Sequence, residues 1–184
     1  MFDAKGFSQW IQRYLRWRLI KKVVVLAVFS LCAVLNSYSQ ANTKESLRGL
    51  HGVFVYVHPV GKYVEAGGLS TTQVQNAVEK ALRQAGITVY SEPQPADGSA
   101  NLVIEISVVK HPQGPILYGI EVGLVQEVHL TRTKEPAPFP GQTWAANMIG
   151  LTTPDRTDLI LEPVISKVNE FIGDFKTVNR STHD

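Results

Sequence analysis

Cysteine is all but missing: Cys32 stands alone in 184 residues, so no disulfide closes within the chain and no cysteine cluster holds a metal. The phosphate-binding signatures are missing too, since neither G-x-G-x-x-G nor the P-loop with its lysine occurs. No G-x-S-x-G elbow nominates a nucleophilic serine, and histidine and carboxylates never recur at a spacing that suits a metal. Long apolar runs are lacking as well. The most apolar stretch, Val23 to Leu35, is about 13 residues long, against the ~20 that cross a bilayer as a helix.

That short stretch belongs to a leader. Arg13, Arg16, Arg18, Lys21 and Lys22 precede it, and Asn36, Ser37, Tyr38, Ser39 and Gln40 follow it. Ser39 and Ala41 stand at the −3 and −1 positions of a signal-peptidase site, which predicts a signal peptide over 1–41 and a mature chain from Asn42. The rival reading is an uncleaved signal anchor in an inner membrane, suggested by the long basic region with Trp10 and Trp17. Cys32 is not a lipidation site, because Leu31 stands where a lipobox has Gly, Ala or Ser. The expected location is periplasmic or secreted.

Net positive charge is confined to the leader. Lys5, Arg13, Arg16, Arg18, Lys21 and Lys22 face only Asp3, so the net +2 of the chain becomes net negative after Ala41. The electrostatic argument for nucleic acid or an anionic membrane surface is thereby lost. Residues 42–179 suffice for one domain with a substantial core, and 180–184 read as a polar tail.

Val53 to Val57 alternate as a strand that Pro59 ends. A glycine-bearing loop (Gly61, Gly67, Gly68) leads to a well-marked helix. Ser70 and Gln73 have capping-box spacing, Leu69 and Val74 suit a hydrophobic staple, and Val74, Ala77, Val78, Ala81, Leu82 and Ala85 form its apolar stripe. Gly86 is placed for the left-handed closing residue, with Ile87 folding back on Leu82. Ile87 to Tyr90 reads as a strand, completing a βαβ unit with a right-handed crossover.

After a loop over Glu92 to Ala100, Leu102, Ile104, Ile106 and Val108 point one way and Glu105 and Ser107 the other. A turn at 111–115 leads to a long strand, Tyr118 to Arg132, with Tyr118, Ile120, Val122, Leu124, Val128 and Leu130 inward. Gly119 and Gly123 on its other face would permit a bulge or bend. Thr133 to Gly141 reads as a proline-bearing loop and Gln142 to Leu151 as a fifth strand, with Trp144, Ala146 and Met148 on one face. A helix runs from Leu161 to Val178, with Pro163 either in its first turn or at a kink. The order β-α-β-β-β-β-α predicts an α/β two-layer sandwich: a mixed sheet with both helices on one face and the second face partly open.

Polar and aromatic residues of that second face form the candidate surface. Glu121, Glu127 and His129 share one side of a strand, with Glu105 as a possible neighbour. They can ligate a divalent cation or exchange protons, but polar residues alternate outward on any half-solvated strand, and this plainer account is preferred. Gly67-Gly68-Leu69 before Ser70 resembles an anion-binding helix start, yet a cap with a flexible lead-in explains it. Phe54 and Tyr56 project to the same open side, where an uncovered apolar patch marks a partner surface unless the loop with Phe139 covers it. No catalytic, metal or cofactor-binding residue is assigned, and no cofactor is expected.

Together the leader, the Leu47-Arg48-Gly49-Leu50 lead-in, the valine-rich first strand, the Leu69 to Gly86 helix and the closing Phe171 to Asn179 helix resemble a family of uncharacterised secreted bacterial α/β proteins. In architecture the order is similar to small envelope modules such as the TolB N-terminal domain and the LpoB and CsgG accessory domains. That resemblance implies a non-enzymatic binding or assembly module of the bacterial cell envelope, whose partner is another envelope protein and not nucleic acid. The alternative is a periplasmic carrier or enzyme handling a small or lipidic ligand.

Overall fold

Alternation in the first strand sets the plan of the molecule. In the computed structural model, which describes residues 44–93, 99–110, 114–129, 132 and 139–180, strand β1 (Gly52–Val57) buries Val53, Val55 and Val57. Successive side chains of a strand point to opposite faces, so Phe54 and Tyr56 look the other way. The chain continues as α1 (Lys62–Ala66), α2 (Thr71–Gln84), β2 (Thr88–Tyr90), β3 (Ser99–Lys110), β4 (Ile116–Val128), β5 (Phe139–Thr152) and α3 (Leu161–Asn179). Turns of 3-10 helix occupy Glu45–Leu47 and Thr157–Ile160. The strands form one mixed sheet in the order β2-β1-β3-β4-β5. β1 is parallel to both β2 and β3, while β4 is antiparallel to β3 and β5. The class is α/β, as the periodicity predicts.

Helix α2 starts and stops where its sequence says. The Ser70 hydroxyl accepts from the Gln73 amide at 3.2 Å, and the Gln73 side chain accepts from the Ser70 amide at 2.7 Å. Two donors that the helix itself leaves open are thereby satisfied. At the other end Gly86 takes a φ of 84°, while Ile87 donates to the Leu82 carbonyl and Gly86 to that of Arg83. These two bonds are the Schellman closure, and only glycine adopts that φ without strain. Val74, Val78 and Leu82 are fully buried beneath it.

Four details depart from the sequence reading. The loop after β1 contains α1, too short to show a periodic face. It is anchored by Val64, whose carbonyl accepts the buried Thr157 hydroxyl at 2.7 Å. Gly67 is there for packing, since a Cβ would meet the Pro154 carbonyl at 2.5 Å. Second, β3 begins at Ser99 because its first residues pair with Gly52 and Val53 of β1. Third, β4 ends at Val128 and β5 begins at Phe139; Leu130 lies outside the described residues. Fourth, the register shifts between Leu124 and Val125, which face Trp144 and Gln142, leaving Thr143 as the extra residue. The bulge is therefore on β5, and Gly123 beside it makes room for the Gln142 side chain. Pro163 sits in the first turn of α3, where an amide has no intrahelical acceptor to lose.

The buried residues of α2 and α3 belong to the same apolar cluster as the buried side chains of β1, β3, β4 and β5. Phe171 is fully buried in it, edge-on to Trp144 with ring centroids 5.3 Å apart. The Trp144 indole donates to Asp174 at 3.1 Å, and Lys44 pairs with Asp174 at 2.8 Å. A clasp joins the lead-in to the last turn of α3. The Asn179 amide donates to the Leu47 carbonyl, its oxygen accepts from the Gly49 amide, and Arg48 donates to the Val178 carbonyl, all at 2.9 Å. Arg48 also holds the exposed Glu45 carboxyl below its ordinary pKa by a hydrogen bond. The short β2 leaves the Val55 carbonyl beyond its reach, and the Gln75 amide donates to it instead at 3.0 Å.

Candidate binding face

Opposite the core, the sheet presents a second face, read from register. Phe54 and Tyr56 of β1 face Asn101 and Val103 of β3; Val103, Glu105, Ser107 and Val109 face Gly123, Glu121, Gly119 and Leu117 of β4. These in turn face Ala145, Asn147, Ile149 and Leu151 of β5. Two chemistries divide it.

Its middle is acidic. Glu105 and Glu121 stand directly opposite each other, an arrangement that costs stability between like charges. Each is partnered locally: Glu105 accepts from the Ser107 hydroxyl at 3.3 Å and Glu121 from the Gln142 amide at 2.6 Å. With Val103, Gly123 and Val125 these residues line a shallow depression. The alternation that buries Ile104 and Ile106 places the two carboxylates outward, so their position follows from the core.

One end is apolar. Val109, Leu117 and Leu151 are in register across three strands, and Ile149 lies opposite Gly119. Their exposures are 64, 43, 66 and 75%. Among the described residues nothing lies within 4 Å of where a Cβ on Gly119 would sit, and its register partner Ile149 is the most exposed of the four. Large aliphatic side chains grouped this way are the kind of exposed patch that marks a binding surface.

The surface residues expected from the sequence are distributed across this geometry. Tyr56 is 45% exposed and meets the His58 ring edge-on at 5.0 Å, with half-buried Phe54 on the same side. Glu121 belongs to the acidic middle. Glu127 lies six residues further along β4, ~20 Å away at strand rise, with His129 3.5 Å from its carboxylate. Phe139 pairs with Val128 and alternates with Pro140 and Gln142, which puts it on the other side of β5 and at the far edge from Tyr56. Residues 133–138, the rest of that loop, lie outside the described residues. Among the described residues no three of His, Cys, Asp and Glu gather as a metal site would require.

The apolar end was not among the residues singled out by sequence. Its signal is the pairs Val108-Val109, Ile116-Leu117 and Met148-Ile149, in which neighbours are both apolar. A half-buried strand needs only every second residue apolar, so such pairs announce that the outer face is apolar too. Compared with protein-family models and with curated proteins, the chain matches none. Among the described residues no helix is long and apolar enough to cross a membrane.

Proposed function

We propose that this chain is a non-enzymatic, extracytoplasmic module of the bacterial cell envelope that binds another envelope protein through the exposed face of its sheet. In this reading both helices lie on one face, completing the two-layer sandwich, and the opposite face is kept for a partner. The observation that carries it is the exposed aliphatic end, Val109, Leu117, Ile149 and Leu151. Aliphatic side chains left in water cost free energy that contact with a partner recovers. The space between the layers is filled by Phe171, Leu82, Leu102, Leu124 and Ile160, which favours binding on the sheet surface over carriage of a ligand inside. The leader supports export, with cleavage after Ala41.

Crosslinking in the native host followed by mass spectrometry tests this reading. A protein neighbour of the envelope is expected, and Leu117→Ser should weaken its capture about tenfold while leaving the melting temperature within a degree or two. N-terminal sequencing of the same material should begin at Asn42. Recovery of extractable lipid with no protein neighbour would overturn the assignment.

A further inference from the structure

The two edges of the sheet are built differently. β2 is three residues long and offers almost nothing to pair with. β5 is fourteen residues long and, among the described residues, has a sheet neighbour on one side only. Exposed edges are ordinarily protected by lysine, proline, short length or a covering segment. From Phe139 to Pro154 there is no charged residue and no histidine at all. Proline occurs only near the ends, at Pro140 and Pro154, and the bulge at Thr143 and the bond from the Ser46 hydroxyl to the Thr143 carbonyl protect only the first third. Among the described residues, none outside the sheet hydrogen-bonds to the backbone from Trp144 to Leu151.

We infer that β5 pairs antiparallel with β5 of a second copy, joining two sheets into one of ten strands about a two-fold axis normal to the sheet. Charge selects the occupant. Such an axis sets each strand against itself, so any charge near the centre meets its own sign across the pair, which destabilises. The strand carries none, and thus satisfies the condition that self-pairing imposes. A foreign strand recognised by charge would find nothing to read. The axis also keeps the same face of both copies on one side, and centred on Ile149 it sets that residue against its own copy, with each Leu151 opposite Asn147. The two apolar ends then meet diagonally at the paired Ile149 side chains, while Glu105 and Glu121 stay on inner strands away from the junction. The inference rests on the exposed face being the working surface, and it adds how that surface is assembled.

Analytical ultracentrifugation of the protein purified from its host should show a concentration-dependent dimer. Ile149→Lys, which sets two cations close to the axis, should raise the dissociation constant at least a hundredfold, and Ile149→Val should leave it within about threefold. A thermal transition retained by the diluted Ile149→Lys chain excludes misfolding as the cause. Single cysteines placed in turn from Ala145 to Leu151 in a Cys32→Ser background should give an interchain disulfide strongest at one central residue. Antiparallel partners lie ~4.5–5.5 Å apart at Cα, within disulfide reach. A chain that stays monomeric at its highest attainable concentration and forms no such disulfide overturns the inference. A dimer that captures no other protein sinks the proposed function alone, and a monomer that does capture one sinks the self-pairing alone.

Discussion

The two faces of one sheet differ sharply in chemistry, and the contrast shows how little sequence is needed to separate them. On the buried face, Val53, Val55, Leu102, Ile104, Ile120, Val122, Leu124 and Trp144 are closed off from water by a continuous apolar cluster. On the exposed face the same strands carry Tyr56, Glu105, Ser107, Glu121 and Asn147, with an aliphatic end at Val109, Leu117, Ile149 and Leu151. The strand period of two assigns each residue its face, so stability and surface chemistry are written in alternate letters of the same segments. Changes on the first set should move stability, and changes on the second should move binding or very little.

The largest expected effect comes from the buried side. Leu82 is fully buried and holds α2 to the core. Leu82→Ala should cost ~2–5 kcal/mol, read from the denaturant midpoint, because it leaves a cavity as well as losing transfer free energy. A cost of a few tenths would mean that α2 does not pack on the core. The next concerns the boundary between buried and solvated structure. Ser70→Ala removes the acceptor for the Gln73 amide and should cost ~1 kcal/mol by the same measurement, with the helix otherwise intact. An unchanged midpoint would show that water replaces the cap.

The smallest effect should have the opposite sign. Glu105→Gln relieves the carboxylate pair across β3 and β4, and should raise stability by ~0.2–0.5 kcal/mol in dilute buffer. The gain should vanish at high salt, because exposed charges are screened. A loss instead, beyond that of the Ser107 hydrogen bond, would mean that the acidic middle is itself a stabilising site.

How much of this was written openly in the chain differs by element. Helix α2 was legible to the residue: its cap, stripe and closing glycine are local signals that agree with one another. The alternation of β3 and β4 was equally legible, because burial on one face leaves a plain period of two. α1 was not, since five residues between glycines show no amphipathic period. Gly123 permits a bulge or bend on β4, whereas the extra residue, Thr143, is on β5. That glycine serves the neighbouring strand, and its reason is a side chain nineteen positions later in sequence, Gln142. Strand order rests on pairings such as Gly52 with Ser99, far apart along the chain, so which strand becomes an edge was not readable locally. The candidate face was half legible. Tyr56 and Glu121 follow from alternation, while Ile149 and Leu151 do not, because an apolar residue on a half-buried strand is expected to face the core.

The clasp of Asn179 to Leu47 and Gly49 has a geometric consequence for attachment. It brings the entry of the described domain and its exit to one place, so the fold hangs from a single locus as a pendant hangs from a ring. Leu47 and Val178 are buried there with the core, on the side of the sheet away from Ile149 and Leu151. The described domain thus begins and ends on the core side of the sheet, opposite the face that carries its aliphatic end.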